Sequence, residues 1–181
     1  MSDTPVVNNP TSIYTKPRCI FLDIDGPIIN TPCYYIDPEC SVRRTVMNTQ
    51  AIGYVKRLVE KCGALVVLNT THNVHDIEDP LTAKITDIKT DLIKWGMKEH
   101  EFHTDWKTDY PYPENGKMSE HRRLTAVNNW LSRNGDHNWI AFDDDLFHNQ
   151  NQYLIDFQLG IDYDAYRWAV DKFNPGVEYY D

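Results

Sequence analysis

The sequence predicts a three-layer α/β sandwich with a central parallel sheet. Short apolar runs of strand length recur at Cys19–Leu22, Ala64–Leu68 and Trp139–Phe142, and none alternates with polar residues, the pattern of strands buried on both faces. Between them lie segments whose apolar residues repeat at helical spacing, the strand-helix-strand order that builds parallel sheets. Each run also stops abruptly in a polar cluster, at the strand ends where open parallel sheets bind their ligands.

Taken in order, residues 1–16 are polar and broken by Pro5 and Pro10, and read as a loose leader before a single domain over 17–181. The first strand, Cys19–Leu22, ends at Asp23-Ile24-Asp25-Gly26. Pro27 to Met47 is rich in turn residues. Asn48 is placed to cap a helix carrying Ile52, Val55, Leu58, Val59 and Cys62 on one face, which Gly63 terminates. The second strand, Ala64–Leu68, runs into Asn69-Thr70-Thr71-His72-Asn73. Ala83 to Trp95 offers Ile85, Ile88, Leu92 and Ile93 at helical spacing, whereas Met97 to Gly116 has no clear period and reads as a loop that shapes a site. Ser119 to Arg133 reads as a helix with Leu124, Val127, Trp130 and Leu131 inward. The third strand, Trp139–Phe142, ends in Asp143-Asp144-Asp145, and a last helix is expected over Asp164 to Phe173.

The bulk numbers bound the function. A chain of 181 residues suits one core, because halving it leaves each half too little interior. With 41% hydrophobic and 25% charged residues, neither a disordered nor a fibrous chain is expected. Lys and Arg total 18 against 27 Asp and Glu, a formal charge of −9. Such a surface repels phosphate backbones and anionic lipid, so duplex nucleic acid is not an expected partner, though a short basic pocket is compatible with it. No apolar run approaches the roughly 20 residues that span a bilayer, and Met1 to Pro10 lacks the basic-then-apolar order of a secretory signal. A soluble, cytoplasmic protein without a membrane partner is expected. Cys19, Cys33, Cys40 and Cys62 form no C-x-x-C pair and have no histidine at zinc-finger spacing, so they read as reduced thiols.

The three polar clusters carry the chemistry. If the strand ends converge, several carboxylates meet, and they repel strongly unless a cation offsets them. Oxygen ligands with open water positions point to Mg²⁺.

The stretch Phe21-Leu22-Asp23-Ile24-Asp25-Gly26-Pro27-Ile28-Ile29-Asn30 resembles the first motif of the haloacid dehalogenase (HAD) superfamily of phosphotransferases, in the form found in small, minimally capped members. Val66-Val67-Leu68-Asn69-Thr70-Thr71 is similar to the second motif, a strand ending in Ser or Thr, and Ile140-Ala141-Phe142-Asp143-Asp144 to the fourth, a strand ending in paired acids. Order and separation agree from about Arg18 to Phe173. The resemblance implies a HAD-like, Rossmannoid sheet with a minimal cap and a phosphatase activity. Asp23 would attack phosphorus and carry an aspartyl-phosphate. Asp25, on the same side of an extended chain, would act as general acid and then base, a role suited to a carboxyl of raised pKa. Mg²⁺ would be held by Asp23, the Asp25 carbonyl and Asp143 or Asp144. Thr70 would hydrogen-bond a phosphoryl oxygen, with Asn69 in its place if the strand ends one residue earlier and Thr71 beside it. The basic residue of the third motif is either Arg123 or Lys117. Two residues depart from the pattern: Pro27 stands where Thr or Val usually follows the glycine, and His72-Asn73 replaces Trp-Arg.

The resemblance leaves two short inserts to set specificity, Thr31 to Met47 and Asn73 to Glu120. Tyr34, Tyr35, Trp106, Tyr110 and Tyr112 are candidates to stack on a base, and Arg43, Arg44 and Lys107 to meet further phosphate. The expected activity is phosphomonoester hydrolysis on a small phosphorylated partner, a nucleotide, or on a phosphorylated nucleic-acid end. The alternatives are a sugar-phosphate phosphatase, a phosphotransferase, and a catalytically silent module that binds a phosphorylated ligand.

Overall fold

In chain order the strands are β1 (Arg18–Leu22), β2 (Ala64–Leu68), β3 (Ile77–Asp79), β4 (Lys84–Thr86), β5 (Phe102–Lys107), β6 (Asn138–Asp143) and β7 (Gln152–Leu154). The helices are α1 (Thr31–Ile36), α2 (Cys40–Arg43), α3 (Thr49–Cys62), α4 (Ile88–Lys94), α5 (Arg122–Asn134) and α6 (Tyr163–Phe173). The structure is a computed structural model that describes residues 16–73, 77–79, 84–109 and 122–174.

Five strands form one sheet in the order β5-β2-β1-β6-β7, every neighbouring pair parallel. Period two along the strands divides the core. Ile20, Leu22, Val66, Leu68, Ile140 and Phe142 face one layer with α3, α4 and α6, while Cys19, Phe21, Val67 and Ala141 face the other with Val127 and Trp130 of α5. From β1 the chain winds outward to β2 and β5 through helices on the first face. It then returns through α5 on the opposite face to β6, on the far side of β1. The winding reverses at β1, and the crevice at the carboxyl ends of β1 and β6 is where such sheets bind ligands.

Local chemistry fixes the helix ends as the sequence predicts. The Asn48 side chain accepts from the amides of Gln50 and Ala51, and Gly63 closes α3 with φ of 62°. Asp162 caps α6 through the Ala165 amide at 2.9 Å.

Two expectations are corrected. The helix expected over Ala83 to Trp95 begins only at Ile88, because Asp87 caps it through the Thr90 amide. Lys84–Thr86 instead pairs antiparallel with Ile77–Asp79. The loop expected from Met97 contains β5, an edge strand that reads as aperiodic because one side tolerates His103, Asp105 and Lys107. The turn-rich stretch after the first motif also holds two short helices, α1 and α2.

Arg44, expected to face phosphate, is buried in an ion pair with Asp91 of α4 at 3.2 Å and anchors the first insert to the body. Arg43 pairs with Glu39 on the surface. Trp106 is partly buried against the core, with the Lys107 ammonium 5.3 Å from its ring centre. All four cysteines are free and buried, and burial pushes the Cys19 thiol up to about 12. Among the described residues no helix is long and apolar enough to cross a membrane. Tyr110, Tyr112 and Lys117 lie outside the described residues, as does the expected leader up to residue 15.

Trp130 clamps the second layer. It is fully buried, meets Phe21 edge-on at 5.4 Å and donates its indole N–H to the Asp105 carbonyl at 2.7 Å. Trp130→Ala is expected to cost ~3–5 kcal/mol in urea unfolding, from the cavity and lost burial together. A loss below about 1 kcal/mol would show that α5 contributes little to the core.

Candidate active site

The register of the sheet brings the polar clusters together. Leu22 lies opposite both Leu68 and Phe142, so the next residues on three adjacent strands are Asp23, Asn69 and Asp143. Hydrogen bonds carry the alignment past the last apolar residue: the Asp23 amide donates to the Phe142 carbonyl at 3.0 Å and the Asn69 amide to the Leu22 carbonyl at 2.9 Å.

Asp23, Asp143 and Asp144 each place a carboxylate oxygen within 4.8 Å of the others. Asp23 and Asp143 are each only 1% exposed. Burial, with the neighbouring Asp23 charge, pushes Asp143 up to about 9, and the same two causes push Asp144 up to about 6. Burial also raises Asp23, against the lowering influence of Arg123, the Ile24 amide and the Thr70 hydroxyl. Oδ2 of Asp23 and Oδ2 of Asp143 accept no well-directed hydrogen bond. Closely spaced hard oxygen donors, two of them buried with acceptor capacity to spare, fit a divalent cation such as Mg²⁺.

The partial offset comes from Arg123, near the start of α5 and buried. Its Nη2 lies 2.9 Å from Asp23 Oδ2, its Nη1 3.2 Å from Asp143 Oδ2 and its Nε 3.4 Å from Asp145 Oδ2. Nη1 also donates to the Asn69 carbonyl at 2.8 Å. Asn69 holds the arrangement from the other side: its Nδ2 donates to the Arg123 carbonyl and its Oδ1 accepts from the buried Thr108 hydroxyl at 2.9 Å. Thr70 is fully buried and hydrogen-bonds Asp23, whereas Thr71 is exposed on a 3₁₀ turn.

Asp25 sits in different surroundings, its side chain one-third exposed. His72 Nε2 lies 3.1 Å from its Oδ2, and the Tyr34 hydroxyl donates to its Oδ1 at 3.4 Å. Burial alone acts to raise this carboxyl, but the hydrogen bond and charge of His72, with the Ser41 and Tyr34 hydroxyls, hold it below the ordinary carboxylate range. The raised pKa expected of a general acid is therefore not what these partners of Asp25 produce. Tyr34, expected to stack on a base, instead bonds Asp25 and lies against Phe157, while Tyr35 is exposed.

After Asp25 the chain reverses tightly, the Gly26 amide donating to the Ile29 carbonyl at 2.9 Å. Gly26 has φ of +82°, and a Cβ built on it would lie 2.8 Å from Cβ and Cγ of Asp144. Only glycine fits both demands. Pro27, which lacks an N–H, contributes its carbonyl, which accepts from the Ile161 amide at 3.1 Å. Sequence reasoning gave no role to His72, Thr108 or Asp145. His72 was visible there only as a departure from the second motif, and Asp145 only as the third acid of its cluster.

The raised acids have a consequence for stability. Asp143 binds its proton more tightly in the folded than in the unfolded chain, so in EDTA its contribution falls as pH rises from the ordinary 3.8 towards about 9, and levels off above. Asp143→Asn removes that contribution, and the wild type should lose stability relative to this variant across the window. Urea unfolding of both proteins at stepped pH measures the difference, and parallel curves would contradict it.

Comparison with curated proteins and with solved structures returns no match. The sequence does match the family described as the HAD domain in Swiss Army Knife RNA repair proteins, over residues 19–162. HAD proteins are in general hydrolases of phosphate esters and in general use Mg²⁺. The matched span runs from β1 to the cap of α6 and includes every strand of the parallel sheet, and the chain belongs to this HAD family.

Proposed function

We propose that this chain is a Mg²⁺-dependent phosphomonoesterase that forms an aspartyl-phosphate on Asp23 and acts on a phosphorylated nucleic-acid end, RNA first, with a free nucleotide as the next candidate substrate. The observation that carries the reading is the meeting of Asp23 with Arg123 and with Asp143 and Asp144, at and just after the end of β6, at the reversal point of the sheet.

In the first half-reaction a carboxylate oxygen of Asp23 attacks phosphorus, the bond from phosphorus to the ester oxygen breaks, and the leaving oxygen takes a proton from Asp25. In the second, Asp25 takes a proton from water, whose oxygen attacks the same phosphorus and releases Asp23 and inorganic phosphate. Arg123 steadies the Asp23 carboxylate and, with the Thr70 hydroxyl, faces the charge that develops on the phosphoryl oxygens. Mg²⁺ held by Asp23, the Asp25 carbonyl, and Asp143 or Asp144 would neutralise phosphate charge and let an anionic nucleophile approach an anionic ester.

His72 and the neighbouring hydroxyls favour Asp25 as carboxylate, which suits its base step. A dianionic phosphate beside it favours the protonated form, which its acid step needs. The substrate class rests on the family's description as a domain of RNA repair proteins. A net charge of −9 opposes a broad grip on duplex nucleic acid but not the capture of one terminal phosphate.

The test is phosphate release from 3′- and 5′-phosphorylated oligoribonucleotides, nucleoside monophosphates and sugar phosphates, in Mg²⁺ and in EDTA. Release is expected in Mg²⁺ only, with the oligonucleotides ahead. Asp23→Asn should cut it by at least ~10³-fold, roughly 4 kcal/mol of transition-state stabilisation. Near-normal activity in Asp23→Asn would end the aspartyl-phosphate mechanism. A folded wild type that binds these ligands without releasing phosphate would instead be a binding module.

A further inference from the structure

We propose that His72 is a positioning residue that acts through Asp25, fixing which carboxylate oxygen faces the leaving group; this rests on the phosphomonoesterase reading above. An ionised carboxylate offers about four acceptor positions on its two oxygens. His72 Nε2 at 3.1 Å from Oδ2 takes one and the Tyr34 hydroxyl on Oδ1 a second. The remaining directions are left for a leaving-group oxygen or a water. Because the carboxylate only accepts, Nε2 is the nitrogen that carries the hydrogen.

His72 is well placed to hold Asp25 still. Its side chain is 12% exposed against 33% for Asp25, so it forms the inner wall of the pair. It stands on the 3₁₀ turn that follows β2, and its own amide donates to the Thr70 hydroxyl at 3.4 Å. That hydroxyl also bonds Asp23. One short turn thus orients a partner of the nucleophile and a partner of the acid-base group. Tyr34 and Ser41 come from the first insert, so Asp25 is gripped between the body of the domain and α1–α2.

A residue that works through a general acid should matter in proportion to how much the leaving group needs a proton. The test compares kcat/KM, which reports steps up to the aspartyl-phosphate, for a nucleoside 3′-monophosphate and for p-nitrophenyl phosphate, whose phenolate leaves unprotonated. His72→Ala should lower kcat/KM on the nucleotide by roughly 30-fold and on the aryl ester by less than about threefold. His72→Gln, which keeps an N–H donor, should recover most of the loss. In an Asp25→Asn background, His72→Ala should add less than about twofold. If His72→Ala does not fold, His72→Leu, which fills the space without a donor, is read for the same pattern. Equal losses on both esters, or a full further loss in Asp25→Asn, would overturn the inference and leave His72 a purely structural residue. No phosphate release by the wild type from either ester or from the phosphorylated oligoribonucleotides would overturn the phosphomonoesterase reading, and this inference with it.

Discussion

The guanidinium of Arg123 is the point on which the rest of the site depends. Three carboxylates brought together by sheet register would drive the strand ends apart or give up their charge, and burial together with the Asp23 charge raises the Asp143 pKa. Arg123 offsets it from the opposite layer. The chain can reach there only because it crosses to the second face of the sheet between β5 and β6. The layer architecture, the reversal at β1 and the charge balance at Asp23 are therefore one arrangement. Trp130, lower on the same helix, packs that helix against Phe21 of β1.

Two aspartates two residues apart are pushed in opposite directions. Asp23, buried beside other acids, is raised, and Asp25, bonded by an imidazole and hydroxyls, is lowered. This is the reverse of what a nucleophile and an acid need when the chemistry begins. A cation beside Asp23 favours its ionised form, and a phosphate dianion beside Asp25 favours its protonated form. On the proposed mechanism, metal and substrate together move both groups to their working states, and neither is ready alone.

The central fold was legible because buried parallel strands declare themselves as unbroken apolar runs and helices by their caps. Asn48, Gly63 and the residues of β1, β2 and β6 required no tertiary information. What escaped the sequence was structure sustained by neighbours. β5 is an edge strand with charged residues, β7 is three residues long, and Lys84–Thr86 is a strand only because Ile77–Asp79 lies beside it. In the site, motif order brought together Asp23, Thr70 or Asn69, Arg123 or Lys117, and Asp143 or Asp144. The partners of Asp25 were hidden, since His72 stands on a 3₁₀ turn and Tyr34 on α1, and no spacing rule links them. Arg44 read as a surface cation for want of any sign that Asp91 would be buried opposite it.

The contact between Gly26 and Asp144 joins the two ends of the site more tightly than either motif reveals. A side chain at position 26 would occupy the space of Asp144, so damage introduced in the first motif is felt at an acid of the fourth. The two positions form a single steric unit. A lineage free to vary its acids at 143–145 could not vary the bulk of residue 144 independently of the bare backbone it rests on.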